Sequence, residues 1–464
     1  MTTVARLQAE LGSIVSTDPA ELAAMREDKS GWVAQGMPLA LVRATRTEHV
    51  QAVLRIASES GVPVVPRGAG TGLAGGACGT DGSIVLSLAG MNRILEIRPE
   101  DELAVVEPGV INQDLNDALA AFGLWFAPDP ASKAISSIGG NIATNAGGLL
   151  CVKYGVTREA VLALTVVLAD GRLLKTGHRT VKGVTGYDLT ALLTGSEGTL
   201  GVIVEATVRA RAITPGEVVT LGAVFPDVAA AAAASAAVIA ARVRPAVMEL
   251  IDPVALRMIA DYLGPDGSAG LPIDGGAFLL VQTDGAAALA EADQAAAVLR
   301  SAGGTVRQST DPDSGERLLA IRRSAHPALA AYGEVLIEDV SVPRSRMAEM
   351  FERIAEISAR TGVPIPTVAH AGDGNLHPNF VIPIDPMRLP GDPLVPEHIW
   401  AAADELFRAA LALGGTLTGE HGVGVLKRRW LAEEIGDTSL ELQRRIKAAF
   451  DPLGILGPET MFDA

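Results

Sequence analysis

Hydrophobic and polar positions change period several times along the chain, and those changes predict its elements. After an N-terminal helix and a strand at Leu39–Arg43, the positions Val50, Val53, Leu54 and Ala57 recur at helical spacing. Thr47 is placed to cap that helix and Gly61 to close it. Short apolar runs follow: 62–66, whose prolines suit an edge strand, and 83–88. A pair at 94–97 and 103–106 is joined by Arg98-Pro99-Glu100-Asp101. An amphipathic helix at 112–122 stops at Gly123. The unbroken run 160–168 predicts a buried strand, turned by Asp170-Gly171 into 172–175, and a strand follows at 202–210. Near 212–216 the pattern switches to strands alternating with long Ala-rich helices: strands 217–225, 246–251 and 277–283, helices 227–242, 253–262 and 285–302. A helix at 318–329, a strand at 334–340, helices at 345–361 and 396–413, and a last helix near the C-terminus complete the series. This second half predicts an α+β fold with an antiparallel sheet.

Three stretches have no such period. The first is Arg67-Gly68-Ala69-Gly70-Thr71-Gly72-Leu73-Ala74-Gly75-Gly76-Ala77. Its glycines let backbone N–H groups approach a ligand closely, which suits a phosphate. Gly70, Gly72 and Gly75 match G-x-G-x-x-G, but a strand follows instead of a helix, so a Rossmann fingerprint is excluded. The second, Ser136 to Gly148, is rich in Gly, Asn and Ser and suits a loop around a flat polar ligand. The third is Gly195-Ser196-Glu197-Gly198-Thr199-Leu200-Gly201.

Candidate chemistry gathers at His370-Ala371-Gly372-Asp373-Gly374-Asn375-Leu376-His377. Asp373-Gly374 is a two-residue hairpin signal. A turn centred there sets His370 opposite His377, with Cβ atoms roughly 5 Å apart. Two imidazoles so placed suit a divalent metal. The run Gly419-Glu420-His421-Gly422 could add a carboxylate and another imidazole. The chain has only seven histidines, three of them in these two Gly-rich stretches.

Composition narrows the partners. Net charge is −16, which excludes a nucleic-acid binder, since phosphates require a basic footprint. Two cysteines, Cys78 and Cys151, make neither a disulfide framework nor a zinc motif, so a reducing, cytoplasmic setting is expected. The first residues carry charges and no apolar core, so no secretory signal is expected. The apolar run Val228–Ala241 is too short to span a bilayer.

Taken in order over nearly the whole chain, Pro66–Ala77, Ser136–Gly148, Gly186-Tyr187-Asp188-Leu189 with Gly195–Gly201, His370–Asn379 and Gly419–Gly422 resemble one family. It is the FAD-linked D-2-hydroxy acid dehydrogenases of the vanillyl-alcohol-oxidase superfamily. Glycolate oxidase catalytic subunits, D-lactate dehydrogenases and D-2-hydroxyglutarate dehydrogenases belong there. The resemblance implies an α+β fold with a two-part PCMH-type FAD-binding domain at 1–214. An antiparallel-sheet substrate (cap) domain at 215–405 and a C-terminal segment at 406–464 returning to the flavin and metal follow from it.

By the same resemblance FAD is held by Pro66, Arg67, Gly68, Ala69, Gly70, Thr71, Gly72, Gly75 and Gly76. Ser136, Gly139, Gly140, Asn141, Thr144, Asn145, Gly147 and Gly148 line it too, with Glu197, Gly198 and Ile203. His370, His377 and Glu420 match the divalent-metal ligands, with zinc first and manganese second. His421 matches the base, Asn379 a substrate-contacting amide, and Arg322 the arginine on the substrate carboxylate, with Arg323 as rival. Ile337 stands where some relatives have a lysine, which favours D-lactate or glycolate over 2-hydroxyglutarate. Gly457-Pro458 replaces an Asn-Pro near the flavin. The 67–77 loop has no histidine, so noncovalent FAD is expected.

The implied reaction oxidises a D-2-hydroxy acid to the 2-oxo acid and passes electrons to an acceptor protein or quinone, with a homodimer allowed. Two other readings stay open from the residues alone. One is a non-catalytic flavin-binding subunit of an oxidase complex. The other is a metallohydrolase using His370, His377 and Glu420.

Overall fold

The computed structural model describes residues 1–268, 271, 274–384 and 395–462. The chain divides into two compact units. The first comprises 1–148, 155–213 and 420–464, the second 149–154 and 214–419.

The first unit holds two main sheets. One orders β1 (Val15–Ser16), β2 (Ala40–Arg43), β4 (Ile84–Ser87) and β3 (Val64–Arg67), with β2 and β3 both parallel to β4. Its core joins Val42, Leu86 and Val64 to Val50, Val53 and Leu54 of the helix Thr47–Ser60. That helix ends on Gly61 at φ 62°, the left-handed cap the glycine was expected to provide. Its N-cap is Arg46 rather than Thr47, and no side chain caps it: Thr47 already has helical geometry. β3 is an edge strand, which accommodates Pro66, and its free side takes the C-terminal segment. Val64 donates to the Ile455 carbonyl (2.7 Å), and Gly457 donates to the Val64 carbonyl (2.9 Å).

The other sheet is antiparallel, in the order β5 (Ile94–Arg98), β6 (Leu103–Val106), β9 (Val202–Arg209), β7 (Val161–Val167) and β8 (Leu173–Gly177). A two-residue pair, Leu124–Trp125 with Arg211–Ala212, stands apart. Gly171 closes the β7–β8 turn at φ 84°, a conformation that costs glycine nothing.

The second unit is built on one eight-stranded sheet. Its order is β13 (Thr305–Ser309), β10 (Glu217–Phe225), β12 (Ala277–Gly285), β11 (Val247–Ile251), β16 (Thr367–His370), β17 (Asn375–Ile382) and β14 (Glu334–Ile337). β15 (Val340–Ser341) also pairs with β17. Every pairing in it is antiparallel. Phe278 and Leu280 of β12 pack on the helices Pro253–Gly267, Pro312–Arg323 and Ala325–Ala330. Leu279 and Val281 alternate with them and are equally buried, so both faces are covered. That is why these strands read as apolar runs.

Two expectations need correction here. The helix expected at 318–329 is a pair, 312–323 and 325–330, divided at Ser324 three residues before Pro327. The strand expected at 334–340 is two short strands, so Glu338 and Asp339 lie between them, both buried.

Candidate active site

In the first unit the glycine loops converge on one short helix. Ser137 caps Ile138–Thr144, its side chain accepting from the Gly140 N–H (3.3 Å). Gly68 lies so close that a Cβ there would land on the Ser137 hydroxyl, which explains the glycine. Arg67 folds over its own loop, Nη1 donating to the Ala77 carbonyl (2.7 Å). Gly70 and Gly75 take φ of 72° and 79°, where a side chain would be strained. The helix ends on Asn145 in the left-handed region, and the 195–198 loop hangs from that end. Gly195 and Glu197 donate to the carbonyls of Ile142 and Ala143 (2.9 and 2.8 Å).

Glu197 shares the left-handed conformation (φ 52°) and is half-buried. Its two carboxylate oxygens accept the N–H groups of Val423 and Gly424, each at 2.7 Å. Burial pushes its pKa up to about 7, against the pull of those two donors and the Lys427 charge. The same segment is held from a second side, where Val425 donates to the Ala74 carbonyl (2.8 Å). Glu197 therefore clamps the segment carrying Glu420 and His421 to the glycine loops. Its carboxylate faces that segment, a use sequence spacing did not reveal. Nε2 of His421 lies 3.9 Å from Glu420 Oε1, and both side chains are half-buried. A Cβ on Gly147 would strike the Glu420 side chain.

These residues fit a flavin. Among the described residues, Ser136 Oγ and Asn141 Nδ2 are buried with no hydrogen-bond partner. Such atoms are costly unless a ligand satisfies them. Ile203 is in the core beneath, packed with Leu164, Val166 and Ala206. Pro66 lies beside Gly198, at whose φ of 75° a Cβ would come within 3.3 Å of the proline ring.

In the second unit the hairpin register differs from the expected one. His370 pairs with Asn375 and His377 with Val368, so residues 371–374 form a four-residue loop. The register moved by two positions, which keeps both histidines on one face. They are diagonal neighbours, and their rings still meet edge to face, centroids 5.0 Å apart. Both are buried. Gly374 (φ 90°) permits the turn, and Gly372 packs against Val152.

Glu249, on β11 opposite His370, is completely buried. Its Oε1 lies 2.7 Å from His370 Nδ1, and its Oε2 accepts from Arg322 Nε at 2.7 Å. The sequence carried a signal for it, a single acid inside the apolar run Val247-Met248-Glu249-Leu250-Ile251. Arg322 is half-buried, whereas Arg323 is exposed and pairs with Glu316. Asn379 Nδ2 donates to the carbonyls of Pro366 (3.2 Å) and His377 (2.7 Å), which leaves its Oδ1 as the acceptor to offer. Asp339 holds the other approach. Its carboxylate accepts from the Thr418 hydroxyl (3.0 Å) and the Gly419 N–H (2.6 Å).

Comparison with known proteins places this architecture. Residues 38–177 match the model "FAD binding domain", and 214–461 match "FAD linked oxidases, C-terminal domain". The chain belongs to the FAD-linked oxidase family and is an FAD-dependent oxidoreductase. The glycolate oxidase subunit GlcD of Bacillus subtilis is 42% identical, covering 92% of this chain and 90% of the relative. The D-lactate dehydrogenase of Archaeoglobus fulgidus is 36% identical, with 90% of each chain covered. Among solved structures, p-cresol methylhydroxylase with substrate bound shares the fold, with a TM-score of 0.80 at 20% identity, covering 99% of this chain and 96% of that one. Among the described residues, no helix is long and apolar enough to cross a membrane.

Proposed function

We propose that the protein oxidises a D-2-hydroxy acid, D-lactate or glycolate, to the 2-oxo acid with noncovalent FAD and a divalent metal, zinc or manganese. Relatives bearing the names glycolate oxidase subunit and D-lactate dehydrogenase support the substrate class. The observation that carries the metal is the buried His370–His377 pair, with Glu249 at Nδ1 of His370.

Metal-bound histidines commonly pass their other nitrogen to a carboxylate in this way. Two imidazoles and the Glu420 carboxylate make an N/O donor set suited to such a cation. Glu420 follows Gly419 by one peptide bond, about 3.8 Å between Cα atoms. Asp339 fixes Gly419 against Asn375, the register partner of His370. When bound, FAD supplies the hydride acceptor and the metal a Lewis acid.

The chain's own residues do the rest. Arg322, aimed by Glu249, grips the substrate carboxylate with its remaining guanidinium donors. Asn379 contacts the substrate beside the reacting carbon. His421 takes the hydroxyl proton. Gln or Lys in place of Arg322 would lose the two-point grip that selects one α-face. Electrons leave to an acceptor protein or quinone, and a cytoplasmic homodimer fits the expected setting. Removing metal with a chelator, while the flavin absorbance persists, is expected to abolish turnover, and zinc or manganese to restore it. Full turnover in protein shown to be metal-free would refute the metal role.

A further inference from the structure

We infer that Glu249 is a positioning residue that fixes two things at once: the tautomer of His370 and the aim of Arg322. The inference deepens the reading above and rests on it for what those two side chains do. Glu249 lies in the middle of β11, with its side chain fully buried. A carboxylate only accepts hydrogen bonds. The 2.7 Å contact from Oε1 to Nδ1 of His370 therefore puts the ring proton on Nδ1. That leaves Nε2 as a lone-pair donor, the state a metal ligand requires.

The second oxygen takes Arg322 Nε at 2.7 Å, and the guanidinium charge compensates the buried acid. Nε is the inner donor of the fork, so the outer nitrogens keep their planar face for a carboxylate. Among the described residues, Arg322 makes this one ion pair. One rigid carboxylate thus sets the distance and angle between the metal ligand and the group that grips the substrate. A merely structural ion pair would not need both a histidine tautomer and an arginine to converge on it.

Glu249→Gln is the discriminating variant, because it keeps volume and shape. An amide offers one acceptor where two donors converge. The charged guanidinium competes better for it. The amide NH2 then faces Nδ1 of His370 and moves the ring proton to Nε2. Long-range 15N–1H spectra of histidine-labelled full-length protein, holding flavin but stripped of metal, read this directly, since only seven histidines contribute. The expected result is Nδ1–H for His370 in the wild type and Nε2–H in Glu249→Gln. Zinc titration into the same samples is expected to show affinity lowered on the order of 10–100-fold in the variant, with the flavin content kept. An unchanged His370 tautomer with unchanged zinc affinity overturns the inference. A wild type that carries Nδ1–H yet binds no zinc overturns the metal reading instead, and leaves the tautomer result standing on its own.

Discussion

Gly419→Ala tests how tightly the segment entering Glu420 is held. Gly419 carries no unusual backbone angle, so the effect is purely steric. A Cβ there would lie 2.5 Å from Cγ and 2.8 Å from Nδ2 of Asn375. Asn375 Oδ1 is nearer still and ordinary contact begins near 3.4 Å, so about 1 Å must open. Asn375 resists, being buried in β17 between the register partners His370 and Ser341. The segment resists too. Moving it stretches the 2.6 Å bond from Gly419 N–H to Asp339 and the Thr418 hydroxyl bond beside it. Hydrogen bonds to a charged group contribute about 1.5–3 kcal/mol each. Overpacking of this kind costs about 1–3 kcal/mol, so the cheaper route combines a small shift of both sides. Position 420 then moves by a fraction of an ångström to about 1 Å, and misplacement of that size can cost on the order of 10²-fold in rate. The expected outcome is a stability loss of about 1–3 kcal/mol by denaturant titration, weaker metal binding, a turnover drop on the order of 10²-fold, and unchanged flavin content. Turnover within twofold of wild type would refute the claim that Gly419 sets the position of Glu420.

The other expectations concern single side chains. His421→Ala should lower turnover by roughly 10²-fold or more, with flavin and metal content unchanged; near-wild-type turnover would remove it from the base role. Glu197→Gln turns an amide NH2 toward one of the two N–H groups the acid now accepts. It should cost about 1–3 kcal/mol in thermal or denaturant unfolding, and equal stability would show the clamp to be idle. Asp252 caps the helix Pro253–Gly267 and also accepts the Thr367 N–H (3.0 Å); burial raises its pKa to about 7. Its folded pKa exceeds the unfolded one, so its contribution is fully present below about pH 4 and lost as pH rises through about 7. Asp252→Asn should flatten that slope in pH-dependent denaturation, and an unaltered slope would contradict it.

Local patterns carried much of the fold into view. β10 spans Glu217–Phe225 as the apolar run indicated, and the paired strands β5 and β6 formed as expected. Such elements rest on period and turn chemistry, which are local. The hairpin shows where locality ends. Asp373-Gly374 signalled a two-residue turn, yet the loop takes four residues, because β16 must also pair with β11 and β17 with β14 and β15. The histidines stayed on one face only because the register moved by an even number. Thr47 failed as a cap for a related reason: the helix starts one residue earlier than its polar signal. Glu249 and Asp339 were invisible as site residues, since nothing local links them to His370 or Gly419, which lie far along the chain. Both are completely buried acids, and that oddity is legible in retrospect.

Anaerobic mixing of the purified flavoprotein with a panel of D- and L-2-hydroxy acids tests the central claim most directly, with the flavin band near roughly 450 nm as the readout. D-lactate or glycolate is expected to bleach it rapidly in metal-replete protein and not after metal removal, while L-lactate leaves it oxidised. A flavin that stays oxidised with every acid in the panel, in metal-replete protein, would contradict the assignment.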